Sequence, residues 1–301
     1  MYDNVEFVLA CGGLSTRNFP HSKGLAHKSL LPFGDIRLID YVLSEIIRAG
    51  GRHITFVCSD NETIETFKKA LERDDKTAQK LRSKNRTEVA EILESTFLPP
   101  DTDLKFVIQD KPVGTAHVLY CASKVSQNRH IAFFFPDDII VSKDENNSHL
   151  KRLLEAFSQD ENQILVTGIE KEDVSNNAIL TNGRLIEKPK NPANHIGGYS
   201  PMILPAKLIK FIQKEWETRE SEILNLGHEW FYVDAINSFL DNGGEKEGFF
   251  VKMYLKEPQD ILLDTGALPL YELAELYALL KLSRFKEENR RLARQLLQGS
   301  L

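Results

Sequence analysis

Residues 5–17 read VEFVLACGGLSTR, an apolar run that leads directly into two glycines. An apolar run of this length predicts a strand buried inside a parallel sheet. Gly12 and Gly13 allow the backbone to turn sharply and to present N–H groups to phosphate oxygens, and Arg17 can add charge-assisted hydrogen bonds. Without further support, the stretch is as typical of a tight turn followed by a surface arginine.

Strand and helix patterns alternate in the residues that follow. Apolar strands are predicted at residues 53–58, 104–108 and 131–135, and helices at residues 38–49, 61–71 and 115–125. This alternation predicts an α/β fold with a Rossmann-like, mixed but mostly parallel central sheet flanked by helices. Because ligands of such sheets bind beyond the carboxyl ends of the strands, the turn after residue 10 and the acidic pair Asp137-Asp138 are expected in one crevice.

The rest of the chain is predicted to hold a helical insertion, a second group of elements and a helical end. Residues 68–95 are charged and helical in pattern, which predicts an inserted arm with a solvated face. Further elements are predicted as helices at residues 150–157, 206–216 and 231–240, strands at 163–169 and 198–204, a hairpin at 178–186 with an Asn-Gly turn, and one long helix or a helix pair at 269–297.

The C-terminal helical segment has an apolar side formed by Leu270, Leu273, Leu276, Leu279 and Leu280. A stripe of this kind either packs on its own domain or forms a contact between the subunits of a homo-oligomer. The sequence leaves both interpretations open.

Composition excludes several classes of protein. The 38 Lys and Arg residues stand against 44 Asp and Glu, so the chain lacks the basic excess of a general nucleic-acid binder. No apolar run approaches the ~20 residues of a membrane-spanning helix, and the first residues lack the basic start of a secretory signal. Cys11, Cys58 and Cys121 show no metal-ligand spacing and are expected to be buried, reduced thiols. We therefore expect a cytoplasmic protein that binds neither membranes nor nucleic acid.

Single charged residues stand next to other apolar runs. Lys28 lies eleven residues after Arg17, and the loop between them can aim both cations at one phosphate chain. Asp137 directly follows an apolar strand and Asp264 ends another apolar run, and carboxylate oxygens in such places suit Mg²⁺. Each also has a simpler interpretation, as a solvated lysine or as an aspartate that caps a turn.

Another charged group, Glu187-Lys188-Pro189, follows the predicted hairpin. Glu187 can accept hydrogen bonds from sugar hydroxyls, and Lys188 can pair with a sugar phosphate. As an isolated tripeptide, the group is also typical of a charged surface turn.

Together, and in this order, the motifs resemble those of the sugar-1-phosphate nucleotidylyltransferases. The shared segments are Gly13-x-Ser15-Thr16-Arg17, Phe19-Pro20, Lys23, Lys28-x-x-Leu31-Pro32, Gln109, Gly114-Thr115-Ala116-His117, Phe135-Pro136-Asp137, Glu187-Lys188-Pro189 and Asp264-x-Gly266. The resemblance extends over residues 5–275. Within the family it is nearest to the bacterial UTP–glucose-1-phosphate uridylyltransferases, which the charged insertion and the run at residues 20–23 support. It implies the GT-A-like fold of nucleotide-diphospho-sugar transferases.

The resemblance also implies a role for each matching residue. The nucleotide would be bound by Gly12, Gly13, Leu14, Ser15, Thr16, Gln109, Gly114 and Thr115, and the sugar phosphate by Asp138, Glu187, Lys188, Gly197 and Gly198. The catalytic cations would be Arg17, Lys28 and Lys188, and the Mg²⁺ ligands would be Asp137 and Asp264. A sugar phosphate oxygen, implied to be that of glucose-1-phosphate, would attack the α-phosphorus of UTP in line and expel pyrophosphate.

One domain over residues 1–301 is expected on the same basis. Residues 1–145 would form a nucleotide-binding half and residues 146–267 a sugar-phosphate-binding half, followed by the helical segment at 268–301.

The sequence departs from the family pattern at three places. Ser15 replaces a glycine, Asn176-Asn177 replaces a Tyr-Gly pair, and residues 229–233 replace the usual acidic and Gln residues before Asp234. The last two changes fall on the sugar side. The nucleotide half is therefore better supported than the choice of glucose.

Two other functions stay open. The same fold can use dTTP or CTP with another sugar phosphate, or the chain can be a non-catalytic paralogue that binds a nucleotide sugar. The complete set of cations and carboxylates argues against the second alternative, because a pure binding protein does not need all of them.

Overall fold

A seven-stranded sheet forms the centre of the fold. The structure, a computed structural model, describes residues 2–13 and 15–298. The strands, in chain order, are β1 (Val5–Cys11), β2 (Pro32–Phe33), β3 (Ile36–Arg37), β4 (His53–Cys58), β5 (Asp103–Ile108), β6 (His130–Phe134), β7 (Asp138–Val141), β8 (Gln163–Glu170), β9 (Ile179–Thr181), β10 (Arg184–Ile186), β11 (Ile196–Leu204), β12 (Phe250–Leu255) and β13 (Ile261–Asp264). The α-helices are α1 (Leu38–Arg48), α2 (Asn61–Ala70), α3 (Asp75–Ser83), α4 (Thr87–Ser95), α5 (Thr115–Ser123), α6 (His149–Gln159), α7 (Ala206–Leu224), α8 (Tyr232–Phe239), α9 (Leu268–Tyr277) and α10 (Lys286–Leu297).

The strands of the central sheet stand in the order β12-β8-β11-β6-β1-β4-β5. Six of them run parallel, and β11 runs antiparallel to both of its neighbours. The predicted fold class, a mixed and mostly parallel sheet flanked by helices, is confirmed. Because β1 lies between β4 and β6, the turn that follows it opens near the middle of the carboxyl edge, where ligands of such sheets bind.

Strand β1 is apolar because helices cover both faces of the sheet. Phe7 and Leu9 pack into the core that α1 closes, and Val8 packs into the opposite core with α5, α7 and α8. A strand covered on both sides shows no alternation of polar and apolar residues, which explains the continuous apolar run.

Glu6 is the exception in β1, a charged side chain that is completely buried. Its carboxylate accepts hydrogen bonds from Thr55 Oγ1 at 2.6 Å, from Lys105 Nζ at 3.1 Å and from Arg129 Nη1 at 3.2 Å. A buried carboxylate is tolerated only when it is paired in this way. The network therefore ties β1, β4 and β5 together near their amino ends.

Replacing Glu6 with Gln should lower the free energy of unfolding by about 3 kcal/mol, because Lys105 and Arg129 would lose their common anion. Urea unfolding monitored by circular dichroism measures the change. Glu65→Gln is the matched control: Glu65 pairs with Lys68 at an exposed site, so its loss should cost less than about 1 kcal/mol. Equal losses for the two variants would contradict the structural role of Glu6.

Two short strands outside the central sheet position acidic residues. β7 and β13 pair antiparallel, with Asp138 opposite Asp264. Neither strand was predicted, because each has four residues and finds its partner far along the chain. The edge strand β12 was also missed.

The predicted insertion and helical end are confirmed as helices. Residues 68–95 hold the end of α2 and the helices α3 and α4, which bury Ala78 and Ala90. The C-terminal segment is a helix pair rather than one helix, because Ser283 leaves the helical conformation and its Oγ donates to Asp35 Oδ1 at 2.7 Å. Over residues 2–13 and 15–298, no helix combines the length and the apolar character needed to cross a bilayer.

The leucine stripe of α9 faces outward. Leu270, Leu273 and Leu276 are exposed, and the helix packs inward through Tyr271 and Ala274 instead. The interpretation that these three leucines pack on their own domain is therefore wrong. Leu279 and Leu280, beyond the end of α9, are half-buried.

Candidate active site

The turn after β1 is closed by Ser15. This residue has a φ of 57°, the left-handed conformation that favours glycine. Its Oγ accepts a hydrogen bond from the backbone N of Lys28 at 2.9 Å, and its carbonyl accepts one from Ser22 Oγ at 2.8 Å. The positive φ explains why a glycine is usual here, and the two hydrogen bonds explain how a serine can replace it. Leu14, also predicted to bind the nucleotide, lies outside the described residues.

Asn18 anchors the short 3-10 turn Thr16–Asn18 to the far end of the chain. The side chain is buried, and its Nδ2 donates to the carbonyl of Thr265 at 3.0 Å. This contact brings the exposed Arg17 to the end of β13. Sequence reasoning missed Asn18, because a single asparagine within a loop gives no sign of so distant a partner.

Lys28 and Asp137 form an ion pair, with Lys28 Nζ 2.5 Å from Asp137 Oδ2. Both side chains are about 15% exposed. The carbonyl of Asp137 accepts hydrogen bonds from Thr265 N at 2.8 Å and from Thr265 Oγ1 at 3.0 Å. These contacts place the end of β13 beside the end of β6.

Gly266 leaves an open space between the charged groups. A Cβ at this position would lie 2.8 Å from Asp137 Oδ2, 3.1 Å from Asp264 Oδ1 and 3.7 Å from Arg17 Nη2. Two carboxylates and an arginine therefore border one space that any larger residue would fill. Carboxylate oxygens gathered in this way are typical ligands of a hard divalent cation. The structure thus brings together four predicted residues, Arg17, Lys28, Asp137 and Asp264.

The carboxylate of Asp138 contacts the backbone of β11. Its Oδ2 accepts a hydrogen bond from the backbone N of Ser200 at 2.9 Å. Burial, together with the nearby charges of Asp137 and Asp264, raises the pKa of Asp138 to about 8. Asp138 therefore links the acidic pair to β11, and its predicted contact with the sugar phosphate stays a prediction.

Gln109 joins the turn after β1 to the loop before α5. Its Nε2 donates to the carbonyl of Gly114 at 3.0 Å, and its Oε1 would lie 2.7 Å from a Cβ at Gly12. Gly114 has a φ of 124°, and a Cβ there would stand 2.3 Å from the carbonyl oxygen of Trp230. Only glycine fits at that position. The structure thus places Gln109 and Gly114 beside the turn.

The segment at residues 230–232 is hydrogen-bonded to this loop and to the start of α5. Trp230 N donates to Val113 O at 2.7 Å, and Ala116 N donates to Trp230 O at 3.0 Å. Thr115 Oγ1 accepts from Tyr232 N at 2.9 Å. The hydroxyl of Thr115 therefore has a structural partner. The sequence showed this segment only as a departure from the family pattern on the sugar side, and it gave no sign of these contacts.

Lys188 lies beside Glu187 and Phe231. Its Nζ lies 5.6 Å from the ring centroid of Phe231 and 3.7 Å from Glu187 Oε1. Burial raises the pKa of Glu187, an effect that the charge of Lys188 opposes. Because the lysine side chain is more than half exposed, its ammonium is available to an anion. Phe231, which the sequence did not single out, borders this ammonium.

Gly197 and Gly198 lie against the altered segment at residues 176–179. A Cβ at Gly197 would lie 3.1 Å from Asn177 Cβ, and Gly198 N donates to the carbonyl of Ala178 at 2.7 Å. Asn177 thus occupies the room beside Gly197. The approach of a sugar to either glycine stays a prediction.

The chain matches the Nucleotidyl transferase family over residues 6–229. It belongs to this family, and it is a nucleotidyltransferase with the mostly parallel, GT-A-like fold described above. Enzymes of the family generally use a divalent metal ion.

Relatives and solved structures resemble the chain at low sequence identity. The UTP–glucose-1-phosphate uridylyltransferase of Haemophilus ducreyi is 25% identical over 257 residues, which cover 79% of this chain and 83% of the relative. The enzyme of the same name from Escherichia coli K12 is 24% identical over 230 residues, 74% of this chain and 71% of the relative. The structure of a UDP-glucose pyrophosphorylase from Acinetobacter baumannii has a TM-score of 0.77 at 21% identity, covering 97% of this chain and 99% of its own.

The raised pKa of Asp138 predicts a loss of stability as pH rises. Folding favours the protonated carboxyl, so its stabilising contribution is complete below the ordinary pKa of 3.8 and is lost as pH approaches about 8. Asp138→Asn removes the titration and retains the oxygen that accepts from Ser200. Between pH 4 and pH 8, measured by urea unfolding without divalent cations, wild type should lose at least about 1.4 kcal/mol relative to the variant. Parallel pH profiles would contradict the burial of this carboxyl.

Proposed function

We propose that the chain is a UTP–glucose-1-phosphate uridylyltransferase, which joins UTP and glucose-1-phosphate into UDP-glucose and releases pyrophosphate. The observation that carries the proposal is the convergence of Arg17, Lys28, Asp137 and Asp264 around the space at Gly266. Relatives that bear this name share the family and most of the chain length.

The triphosphate would lie along the turn after β1. The backbone of Gly12, Gly13, Ser15 and Thr16 offers N–H groups, and Arg17 and Lys28 offer positive charge, to its phosphate oxygens. The base would lie against Gln109 and Gly114. The contacts between Gln109 and both Gly12 and Gly114 support this placement, because they set the base loop beside the phosphate turn.

Asp137 and Asp264 would hold Mg²⁺ at the space beside Gly266. The fit is supported by the two carboxylate oxygens that border this space and by the hard oxygen character of the donors. Bound there, Mg²⁺ would neutralise charge on the phosphate oxygens. Since Lys28 touches Asp137 directly, a phosphate bound by the lysine would lie next to the same carboxylate.

The sugar phosphate would enter from the side of Lys188. Its phosphate would be bound by Lys188, and its hydroxyls by Glu187, with Asp138, Gly197 and Gly198 bordering the sugar. A phosphate oxygen would attack the α-phosphorus of UTP in line, and the bond from that phosphorus to the bridging oxygen would break as pyrophosphate leaves. A phosphate monoester is already a nucleophile, so the protein would mainly position the reactants and neutralise their charge.

We also propose a cytoplasmic location, a single domain with two halves, and a contact between subunits. The protein would be cytoplasmic, since its three cysteines are free and buried, and it would act as one domain with a nucleotide half at residues 1–145 and a sugar half at 146–267. The outward leucines of α9 would form a contact between subunits of a homo-oligomer.

A second candidate keeps the chemistry and changes the substrates. The fold also resembles that of a putative glucose-1-phosphate thymidylyltransferase from Bacillus anthracis, with a TM-score of 0.64 at 16% identity. The altered sugar side, where Asn177 borders Gly197 and Phe231 borders Lys188, favours the part of this candidate that changes the sugar phosphate.

Pyrophosphate release would be measured with UTP, dTTP, CTP, ATP and GTP, each against a panel of sugar-1-phosphates in the presence of Mg²⁺. We expect the highest kcat/KM with UTP and glucose-1-phosphate. Turnover confined to dTTP or CTP would contradict the uridylyl assignment. Nucleotide binding with no turnover for any pair would overturn the enzymatic proposal in favour of a binding paralogue.

Lys188→Gln should raise the KM for the sugar phosphate about 10- to 100-fold, the equivalent of one charge-assisted hydrogen bond. The KM for UTP should change less than about threefold, because Lys188 is not among the residues proposed to bind UTP. Lys190→Gln, two residues along and equally exposed, is the matched control and should behave as wild type. Equal effects on the two substrates would count against the assigned role of Lys188.

A further inference from the structure

Three potential metal ligands meet outside the candidate active site. Asp110, in the loop after β5, lies beside His117 and Cys121 of α5, and their ligand atoms lie within 4.8 Å of one another. The three cysteines are buried and free, as predicted. The prediction from the sequence rested on the lack of metal-ligand spacing around the cysteines and did not consider a histidine near one of them. A His and a Cys four residues apart on one helix face were the sequence signal that it left out.

His117 is a buried member of this cluster, and one of its ring nitrogens lacks a hydrogen-bond partner in the described part of the chain. Only 1% of its surface is exposed, and its Nε2 makes no hydrogen bond within the described residues. The nearest acidic atom to Nε2, Asp110 Oδ1, is 3.8 Å away, too far for a hydrogen bond. The other ring nitrogen, Nδ1, has a sulfur partner in Cys121 Sγ at 3.7 Å. A buried nitrogen left without a partner costs free energy, and a bound ion would remove that cost.

The nearby charges leave the cluster open to a cation. Lys111 pairs with Glu220, and the ammonium of Lys124 lies 4.3 Å from the ring centroid of Tyr120. Asp110 and Glu220 offset these two positive charges, so the charges that act on His117 are balanced in number. The side chain of Asp110 is 63% exposed, so it provides both the negative charge and a path from solvent.

We propose that Asp110, His117 and Cys121 bind a borderline-soft transition-metal ion, Zn²⁺ or one of similar preference. Imidazole, thiolate and carboxylate are the ligands that such ions choose, whereas Mg²⁺ prefers oxygen alone. Ligand atoms around tetrahedral zinc stand about 3.3–3.8 Å apart, as bond lengths of about 2.0–2.3 Å require. The ion would bind His117 Nε2, and rotation of the exposed Asp110 carboxylate and of the Cys121 side chain would bring their ligand atoms from within 4.8 Å to that spacing. The Cys121 thiol releases its proton to solvent as Sγ binds, and water takes the fourth position.

Occupancy of this site would fasten the loop that carries Gln109 and Gly114 to helix α5. Asp110 follows Gln109 directly in the chain, and Gly114 stands immediately before α5. The inference does not depend on the proposed function, since metal binding is measured without any substrate.

Cobalt spectroscopy tests the site. The full-length protein, freed of metal by a chelator and reduced without added thiols, is titrated with Co²⁺. We expect one equivalent to produce a thiolate-to-cobalt charge-transfer band in the near ultraviolet and the intense visible bands of tetrahedral cobalt. Zn²⁺ should remove both sets of bands, and an excess of Mg²⁺ should not. Absence of the charge-transfer band, or its loss on addition of Mg²⁺, would overturn the proposal.

Three variants test which residues bind the cobalt ion. Cys121→Ser should abolish the charge-transfer band, and Cys58→Ser, a change at another buried cysteine, should retain it. Asp110→Asn alters an exposed side chain that the fold does not need, and it should weaken Co²⁺ binding at least roughly tenfold. A band that persists in Cys121→Ser, or an unchanged affinity in Asp110→Asn, would contradict the assignment.

Discussion

The contacts of Asp137 hold the candidate active site together. Its side chain holds the ammonium of Lys28, and its carbonyl accepts two hydrogen bonds from Thr265. The first contact fixes the end of the loop after β1, and the second fixes the end of β13. Since Thr265 also receives the buried side chain of Asn18, three distant parts of the chain meet at the carboxyl end of β6.

This meeting also explains why the acidic residues can lie so close together. Asp137, Asp138 and Asp264 would repel one another as three free anions. Lys28 offsets the charge of Asp137, Gly266 N donates to Asp264, and the raised pKa of Asp138 lets that carboxyl keep its proton. The arrangement therefore suits a site whose remaining negative charge is to be balanced by a divalent cation.

The sequence was sufficient for six of the seven strands of the central sheet and for most of the helices. Strands β1, β4 and β6 are continuous apolar runs because helices cover both of their faces, and such runs are visible without a structure. Strands β7 and β13 are not visible in this way, since they are short and stable only when paired with each other. β12 lies at the sheet edge, where half-exposed residues such as Phe250 and Leu255 blur the pattern.

The candidate site was predicted unevenly for a similar reason. Arg17, Lys28, Asp137 and Asp264 stand in motifs, so their order in the chain indicated them. Their supports do not stand in motifs. Asn18, Ser200 and Trp230 act through hydrogen bonds to residues distant in the chain, and each of these bonds involves a backbone group. Such contacts follow from the tertiary fold and leave no local pattern.

We propose above all that the space beside Gly266 binds both a metal ion and the phosphates of UTP. A crystal structure of the protein with UTP and Mn²⁺ tests it most directly, because the anomalous signal locates the metal without reference to the protein coordinates. We expect a manganese peak within coordination distance of both Asp137 and Asp264, with the phosphates in contact with Arg17 and Lys28. A manganese ion held by the phosphates alone and away from both carboxylates would contradict it.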